Sequence, residues 1–416
     1  MREGRVPWGK VRPDDDGDSS RSRSWWFAAM VFTILSASDA PAFGGTNVWT
    51  TNGPQGAAIG CMVLDPMIPA IVYADGLDGV FKSSDGGLTW ASANDGLDPS
   101  DMAFFTMAIN PQDPSTLYFA SGYDGIFKST NGGASWTRSN EGLIGDFILT
   151  VTVDPSQPLT VYAGTESSGV WKSTDGALTW SKASRDVYEV QALAVDPSAS
   201  AVIYAGTDHG VFKSTDAAKS FSPANEGIAD AVVNTLVFDP TNSATIYIGT
   251  EGGIFKSVDA AAHWTDTSEG IGALHVAQLA VDPSTPAILY AAGAKGGGVF
   301  KSTDGGAHWA PMNQGLPTLD VASVAIDPQR PATVYAGTFA AGVFRIDQVG
   351  APPTPTLNFA ASTPTPRHSN DSNSCNVAGG PPSRTAWMLL LPAAALLALR
   401  RRLRPADSAR AATRRG

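Results

Sequence analysis

Short runs of alternating apolar and polar residues recur along the middle of this chain and predict β-strands. Residues 79–82 (Gly-Val-Phe-Lys) and 125–128 (Gly-Ile-Phe-Lys) place aromatic and β-branched residues among polar ones at period two. A turn rich in Ser, Asp and Gly follows each run, and a Thr-Trp pair or a variant of it begins the next predicted strand. The joining phrase occurs six times, 41 to 46 residues apart, starting at Ser83, Ser129, Ser173, Ser214, Ser257 and Ser302. A strand-rich repeat of this period is typical of a β-propeller.

Two further phrases mark each repeat, and each occurs seven times. One is an apolar run that ends in Asp-Pro or Asn-Pro, as at residues 63–66. The other contains a tyrosine, at Tyr73, Tyr118, Tyr162, Tyr204, Tyr247, Tyr290 and Tyr335. Together the phrases define four strands per repeat, which is the number a propeller blade requires. We therefore predict an all-β fold, a single seven-bladed β-propeller of four-stranded antiparallel blades over residues 43–348.

The seventh repeat stops at Arg345 and lacks its Trp strand. Residues 47–53 resemble the missing strand, because Trp49 lies 16 residues before Asp65 just as Trp180 lies 16 residues before Asp196. We expect this N-terminal strand to complete blade seven. Pairing the two ends would close the ring and remove an exposed sheet edge, which otherwise invites aggregation.

The repeated phrase resembles the Asp box, or bacterial neuraminidase repeat, of sialidases, sortilin-type receptors, two-propeller xyloglucan-degrading hydrolases and photosystem II assembly factors. The match rests on Ser-x-Asp-Gly-Gly-x-Thr-Trp, and it weakens where alanines replace both glycines in the fourth and fifth copies. The resemblance implies a structural role, away from any ligand, for Asp85, Asn131, Asp175, Asp216, Asp259, Asp304, Trp90, Trp136, Trp180, Trp264 and Trp309. From turn chemistry we expect the box carboxylate to accept hydrogen bonds from N–H groups two residues later. His263 and His308 share one box position and are interpreted as strand residues. The repeated lysines are expected to pack between blades with their amines in solvent.

The two ends of the chain predict export and surface attachment. Residues 1–42 contain arginines, an apolar run and a small-x-small site, which indicates either a cleaved signal peptide or an uncleaved anchor. Residues 349–385 are rich in Pro, Ser and Thr and are typical of a disordered linker. Residues 386–416 combine a short apolar run with an arginine cluster. They resemble the tails that bacterial sortase-like enzymes process, with Cys375 as the processing or attachment residue; the alternative is an ordinary C-terminal membrane anchor.

Charge narrows the choice of partners. Residues 43–399 carry 15 Lys and Arg against 32 Asp and Glu, which disfavours nucleic acid and anionic lipid. The two cysteines argue against a disulfide scaffold, and Cys61 is expected to be buried and inert. The sequence indicates no cofactor and no metal site. We expect a monomeric propeller that binds an extracellular glycan or protein and contacts the membrane through its C-terminal segment.

Candidate ligand-binding residues come from two sets of loops that a propeller places on one face. One set follows the tyrosine strands and the other joins consecutive blades. The candidates are Asp75, Asp78, Asp124, Glu166, Arg185, Tyr188, Asp208 and Glu251. They form either a ring of carboxylates that holds a cation or basic peptide, or a set of independent turn residues, because Asp and Glu beside Gly are common in exposed loops.

The arginines argue against sialidase chemistry. The sialidase resemblance requires three arginines on the substrate carboxylate, and residues 45–348 contain only Arg138, Arg185, Arg330 and Arg345, of which Arg185 alone lies in a suitable loop. We therefore predict an exported, surface-tethered binding module without catalysis of its own. A glycan hydrolase or lyase that uses loop carboxylates is the alternative. A purely structural surface protein is the third interpretation.

Overall fold

The computed structural model describes residues 47–98, 106–122, 124–143, 145–228, 231–272 and 274–348, whose strands form seven antiparallel sheets. We number the strands β1 to β27 in chain order and the sheets as blades 1 to 7. Blades 1 to 3 contain β1 (Ile59–Leu64), β2 (Val72–Gly76), β3 (Gly79–Ser83) and β4 (Ala91–Ser92); β5 (Thr106–Ile109), β6 (Leu117–Ser121), β7 (Gly125–Ser129) and β8 (Thr137–Arg138); and β9 (Ile148–Val153), β10 (Val161–Thr165), β11 (Val170–Ser173) and β12 (Ser181–Ser184).

Blades 4 to 7 continue the same order. They contain β13 (Ala192–Val195), β14 (Ile203–Thr207), β15 (Gly210–Ser214) and β16 (Ser222–Pro223); β17 (Val233–Asp239), β18 (Asn242–Thr250), β19 (Gly253–Ser257) and β20 (Thr265–Asp266); β21 (Val276–Val281), β22 (Leu289–Gly293), β23 (Gly298–Ser302) and β24 (Ala310–Pro311); and β25 (Val321–Ile326), β26 (Thr333–Thr338) and β27 (Gly342–Asp347). The first strands of neighbouring blades contact one another all the way round, from β1 and β5 to β25 and β1. The predicted seven-bladed propeller is confirmed, with the first strands innermost.

The N-terminal segment closes the ring as predicted. Thr50 pairs with Arg345 of β27, and each residue donates its amide to the other's carbonyl, at 2.9 and 2.8 Å. Trp49 is 2% exposed, and its indole Nε1 donates to the carbonyl of Met312 in blade 6 at 2.6 Å. Thr50 therefore supplies the outer pairing that β25–β27 lack, and Trp49 takes the position of a box tryptophan.

The Asp box is a closed hydrogen-bonded turn, and its geometry corrects one expectation. In blade 1 the Thr89 amide and hydroxyl donate to the two carboxylate oxygens of Asp85 at 2.9 and 2.5 Å, and the Gly87 amide donates to Ser83 Oγ at 2.8 Å. The backbone donor to the carboxylate therefore lies four residues after Asp85, not two, and the Ser83 hydroxyl also donates to Asp85 Oδ1 at 2.8 Å. The reason is that Gly86 and Gly87 are both left-handed, with φ of 74° and 83°, and return the chain beneath the carboxylate.

Two histidines take the place of Thr89 in blades 5 and 6. His263 Nδ1 lies 2.7 Å from Asp259 Oδ2, and His308 Nδ1 lies 2.6 Å from Asp304 Oδ2. The other ring nitrogens face Glu226 and Glu269 of the preceding blades, at 3.6 and 3.7 Å. The hydrogen bond to the box carboxylate, and then the nearby glutamate, raise the pKa of each histidine above its ordinary value. These residues belong to the boxes and not to the strands.

Five of the blades also hold the box of the next blade by a basic side chain. Lys82 Nζ and the Tyr73 hydroxyl both donate to the carbonyl of Gly132, at 2.7 and 2.9 Å. The same basic contact joins Lys128 to Gly176, Lys213 to Ala260, Lys256 to Gly305 and Arg345 to Gly86. The expectation that these amines reach solvent is wrong for these blades, because a box carbonyl lies within reach and would otherwise be poorly satisfied.

Blade 7 has no Asp box, and a side-chain amide takes the place of the box carbonyl that accepts the lysine hydrogen bond in other blades. Gln348 Oε1 accepts from Lys301 Nζ at 2.5 Å, and Gln348 Nε2 donates to the Tyr290 hydroxyl at 2.7 Å. The backbone amide of Gln348 donates to the carbonyl of Ala332, just as the backbone amide of Gly86 donates to the carbonyl of Ala70 in blade 1. The tyrosine and lysine of blade 6 therefore keep their partners at the end of the repeat.

The core is divided among the seven junctions between blades. Each junction holds one cluster of buried apolar residues, such as Tyr73, Val80, Met107, Leu117 and Trp136 between blades 1 and 2. The seven repeat tyrosines are at most 1% exposed. Burial is the main cause that raises their pKa to about 12, so they are neutral hydroxyl groups at neutral pH.

Several sequence predictions fall outside the described residues. These are the signal peptide at 1–42, the linker at 349–385 that contains Cys375, and the C-terminal segment at 386–416. In the ranges described above, no helix has the length and apolar character needed to cross a membrane.

Candidate functional site

The loops after the second strands and the connections between blades lie together on one side of the ring, which we call the loop face. In blade 3 the Glu166 amide donates to the carbonyl of Phe147 at 2.9 Å, and the Glu189 amide donates to the carbonyl of Glu166 at 2.8 Å. The Asp boxes instead contact the turns between the first and second strands, as Gly86 contacts Ala70 at 2.8 Å. The boxes and these loops therefore lie at opposite ends of the strands.

The candidates in blades 1 and 2 have separate local environments. Asp75 lies on β2 and not in a loop; it is 1% exposed and accepts a hydrogen bond from the Cys61 amide. Burial, and then the Asp75 charge, raise the pKa of the Cys61 thiol to about 12, so this cysteine is buried and protonated as expected. Asp78 is exposed, and Asp124 forms an ion pair with Arg138 at 2.7 Å.

Glu251 belongs to a charged group between blades 5 and 6. Its Oε1 lies 3.5 Å from His275 Nδ1 and 4.0 Å from Lys295 Nζ. The Lys295 amide also donates to Asp320 Oδ1 at 2.8 Å. Burial, and then the Lys295 charge, lower the pKa of His275, which is therefore neutral at neutral pH. Asp124 and Glu251 thus each have a basic partner of their own.

The junction between blades 3 and 4 differs from the others at its tryptophan position. At five other junctions a tryptophan donates its indole Nε1 to a carbonyl of the preceding blade: Trp136 to Ala93, Trp180 to Ser139, Trp264 to Ala224, Trp309 to Thr267 and Trp49 to Met312. Trp90, at the junction between blades 7 and 1, keeps the indole but its Nε1 has no such partner. At the junction between blades 3 and 4, Phe221 replaces the tryptophan and has no such donor. Its amide binds a side chain, Asp186 Oδ2, at 3.1 Å. The usual backbone contact between the two blades is therefore replaced by a carboxylate.

The same junction also lacks the lysine and tyrosine contacts. Among the described residues, Lys172 Nζ makes no hydrogen bond to the fourth box, and the Tyr162 hydroxyl is buried without a partner. A buried hydroxyl left unsatisfied costs about 1–3 kcal/mol. The segment that connects blades 3 and 4 also differs in sequence from the equivalent segments of earlier blades. Residues 184–187 read Ser-Arg-Asp-Val, whereas residues 94–97 and 140–143 read Asn-Asp-Gly-Leu and Asn-Glu-Gly-Leu.

A groove of about 330 Å³ opens on the loop face at this junction. We call it the junction groove, and it is lined by Asp186, Val187, Tyr188, Glu189, Thr207, Asp208, His209 and Phe212. Tyr188 is 58% exposed, which is unusual for a tyrosine in this chain, since the seven repeat tyrosines are buried. Asp208 Oδ1 lies 2.5 Å from His209 Nδ1. The structure thus brings two predicted residues, Tyr188 and Asp208, into one site.

The remaining arginines do not assemble into an anion site of the sialidase kind. Arg330 binds Asp327 at 2.9 Å and Arg345 binds Asp347 at 2.9 Å, each within blade 7. Arg185 is exposed next to the junction groove but does not line it. Over the described ranges, no three His, Cys, Asp or Glu side chains gather in a way that could hold a metal ion.

Sequence reasoning missed several residues of the groove. Val187, Thr207, His209 and Phe212 were not among the candidates, because each occupies an ordinary position of its repeat. The available signal was the coincidence of two departures from the repeat: the altered connection after β12 and the loss of the tryptophan at Phe221. Both departures fall on one junction, and that junction carries the groove.

Comparison with known proteins gives relatives in structure only. No protein-family model matches the chain, and no curated protein matches it in sequence. The GH74 xyloglucanase from Xanthomonas campestris is similar over 72% of this chain and 53% of its own, at 17% identity and a TM-score of 0.57. The GH74 enzyme from Niastella koreensis is similar over 73% and 54%, at 20% identity and a TM-score of 0.60. The chain therefore spans about half the length of these two enzymes.

Two other kinds of protein are similar to the same extent. YCF48 bound to D1 peptide covers 75% of this chain and 100% of its own, at 18% identity and a TM-score of 0.57. The extracellular domain of a putative hybrid two-component system from B. thetaiotaomicron covers 72% and 39%, at 16% identity and a TM-score of 0.57. The neighbours thus include a glycoside hydrolase, a peptide-bound propeller and an extracellular domain. At these identities the similarity establishes the β-propeller fold alone.

Proposed function

We propose that this chain is an exported, surface-tethered binding module without catalysis of its own, and that its ligand binds at the junction groove. The observation that carries the proposal is the groove itself, which occurs where the repeat loses its usual contacts. The stability of a repeat protein is approximately the sum of contributions from its repeats and from the interfaces between neighbouring repeats. The junction between blades 3 and 4 lacks a box tryptophan and leaves the Tyr162 hydroxyl unpaired, so it contributes less stability than a junction with the usual contacts.

The composition of the groove supports binding. Its exposed aromatic residue, Tyr188, lines the same groove as the carboxylate of Asp208, and such a combination of an aromatic ring and polar groups is common in ligand sites. Val187 is 1% exposed and forms part of the core between blades 3 and 4. The groove is thus built against the buried core of the junction, which lowers the entropy that the protein itself loses when a ligand binds.

Export and tethering rest on the two ends of the chain. An export signal at residues 1–42 and a short apolar segment with arginines at residues 386–416 would hold the propeller outside the membrane. An extracellular domain occurs among the structural neighbours, which is in keeping with this location. The acidic balance of residues 43–399 also suits a surface exposed to water.

The test is a ligand screen with two matched variants of the full chain. Wild type, Tyr188→Ala and Leu159→Ala are immobilised and probed with a glycan array and a library of synthetic peptides. Leu159 is a suitable control because it is 65% exposed and lies in the turn between β9 and β10, on the side opposite the loop face. We expect at least one probe to bind wild type and Leu159→Ala but not Tyr188→Ala.

Two outcomes would contradict the proposal. Probes that bind all three proteins equally would place the ligand site elsewhere. Turnover of a glycan that is lost in Asp208→Asn would identify the chain as a hydrolase or lyase. The same array, followed by product analysis, distinguishes these outcomes.

A further inference from the structure

The junction groove combines an exposed aromatic ring with an excess of negative charge. Three of its lining residues are carboxylates, Asp186, Glu189 and Asp208, and one is a histidine, His209. The apolar part of the lining comes from Val187, Tyr188 and Phe212. On the basis of the proposed function, we infer that the groove binds a lysine or arginine side chain of an extended peptide.

Charge complementarity favours a cation over a neutral ligand. A ligand that covers these carboxylates displaces their hydrating water. A neutral ligand replaces that hydration with hydrogen bonds alone. A guanidinium or ammonium group returns an opposite charge as well, which compensates for the lost hydration. Residues 43–399 carry more than twice as many acidic as basic residues, so the surrounding field also attracts cations.

Tyr188 gives the cation a second contact. A lysine or arginine that lies over a tyrosine ring within about 6 Å of its centre is attracted by the negative face of the ring. The chain already uses this geometry, since Lys182 lies 4.9 Å from the ring centre of Trp171 and Lys82 lies 5.3 Å from that of Tyr73. Among the tyrosines for which exposure is described, Tyr188 is the exposed one.

The size of the groove limits what enters it. A volume of about 330 Å³ lies at the lower end of the range for small-ligand pockets. Such a site accepts one or two side chains of a peptide and not a folded element. The occupant is therefore an extended or loop segment with an exposed basic residue.

The test is fluorescence anisotropy on the full chain with three labelled probes. The probes are an octapeptide of alternating Arg and Gly, the same peptide with citrulline in place of Arg, and a neutral cello-oligosaccharide. Citrulline keeps nearly the shape of arginine but removes its charge and replaces one terminal nitrogen with a carbonyl oxygen. We expect the arginine peptide to bind, the citrulline peptide to bind about tenfold more weakly or not at all, and added salt to weaken the arginine peptide.

Variants then locate the site. Tyr188→Ala and Asp208→Asn should each weaken the arginine peptide by about three- to thirtyfold. Asp78→Asn is the control, because Asp78 is an exposed carboxylate on the same face in blade 1 and its loss changes the net charge equally. It should change the affinity less than about twofold. Thermal melts of all three variants check that the propeller remains folded.

The outcomes separate this inference from the proposed function. No binding of the arginine peptide, or equal weakening by Asp78→Asn, overturns the inference. Binding of the cello-oligosaccharide that Tyr188→Ala abolishes also overturns it, because the groove would then be a glycan site, while the proposed binding function would stand. If no probe distinguishes wild type from Tyr188→Ala, both this inference and the proposed binding function are overturned.

Discussion

Lys82 of blade 1 donates a hydrogen bond from its Nζ to the carbonyl of Gly132, 2.7 Å away in the Asp box of blade 2. This contact recurs at other junctions of the ring, so the repeated lysine and the repeated box together join neighbouring blades. The lysine stem covers its own tyrosine, and the amine fixes the turn of the next blade. The blades are therefore joined by a charged hydrogen bond as well as by apolar packing.

Removing one such contact should weaken the fold measurably. Lys256→Met deletes the donor to Gly305 while keeping an apolar stem, so the free energy of unfolding should fall by about 1–2 kcal/mol. Lys172→Met is the matched control, because Lys172 sits over its tyrosine but has no such hydrogen bond. Urea unfolding of both variants checks the difference, and equal losses would show that the hydrogen bond does not contribute.

Ring closure depends on one N-terminal side chain. Trp49→Ala removes a buried indole and its hydrogen bond to Met312, and it should lower the free energy of unfolding by about 3–5 kcal/mol. Trp90→Ala should cost less, because Trp90 is partly exposed and its Nε1 has no hydrogen-bond partner. Thermal melting compares the two variants. A smaller loss for Trp49→Ala than for Trp90→Ala would contradict the closure.

The two box histidines should make stability depend on pH. Their folded pKa values lie above the ordinary value of 6.5, so the protonated rings stabilise the fold fully below pH 6.5. That contribution is lost as the pH rises through the raised pKa. The double variant His263→Thr/His308→Thr restores the residue found at Thr89 and should flatten this part of the curve. Melting temperatures from pH 5.5 to 8.5 test this, and parallel curves for wild type and variant would contradict it.

Two alanines in the fifth Asp box carry backbone strain. Ala260 and Ala261 have φ of 60° and 66°, a left-handed conformation that costs about 1–2 kcal/mol per residue without glycine. Glycine also raises the entropy of the unfolded chain, so Ala261→Gly should stabilise the protein by a net of about 0.5–1 kcal/mol. The reverse change, Gly306→Ala in blade 6, brings a methyl group to 3.1 Å from the Tyr247 ring and should destabilise it. Denaturant midpoints of both variants show whether each substitution raises or lowers stability. A loss of stability in Ala261→Gly would contradict the prediction.

The sequence predicted the fold in detail because the repeat has strong local signals. Asp-Pro turns, buried tyrosines and box tryptophans recur at fixed spacing, and Trp49 could be assigned to blade 7 by counting from Asp65. Contacts between blades were harder to predict, since they join residues about 50 positions apart. The Lys82 amine was expected in solvent because nothing in its local sequence indicates that the Gly132 carbonyl lies beside it.

The site was predicted only in part, for a related reason. Tyr188 and Asp208 were named from loop position, but so was Asp75, which lies on a strand and is buried. A loop residue and a strand residue one or two positions apart cannot be separated by pattern alone. The groove lies at the junction where Phe221 replaces the box tryptophan and the Tyr162 hydroxyl has no partner. Phe221 and Tyr162 are far apart in the sequence, so local patterns do not indicate that they share an interface.

A crystal structure of the full chain with the arginine–glycine octapeptide would show whether the junction groove binds a basic side chain. We expect a guanidinium group over the Tyr188 ring, within about 6 Å of its centre, and paired with Asp208. A peptide bound instead on the Asp-box side, or elsewhere on the loop face with the groove empty, would contradict it.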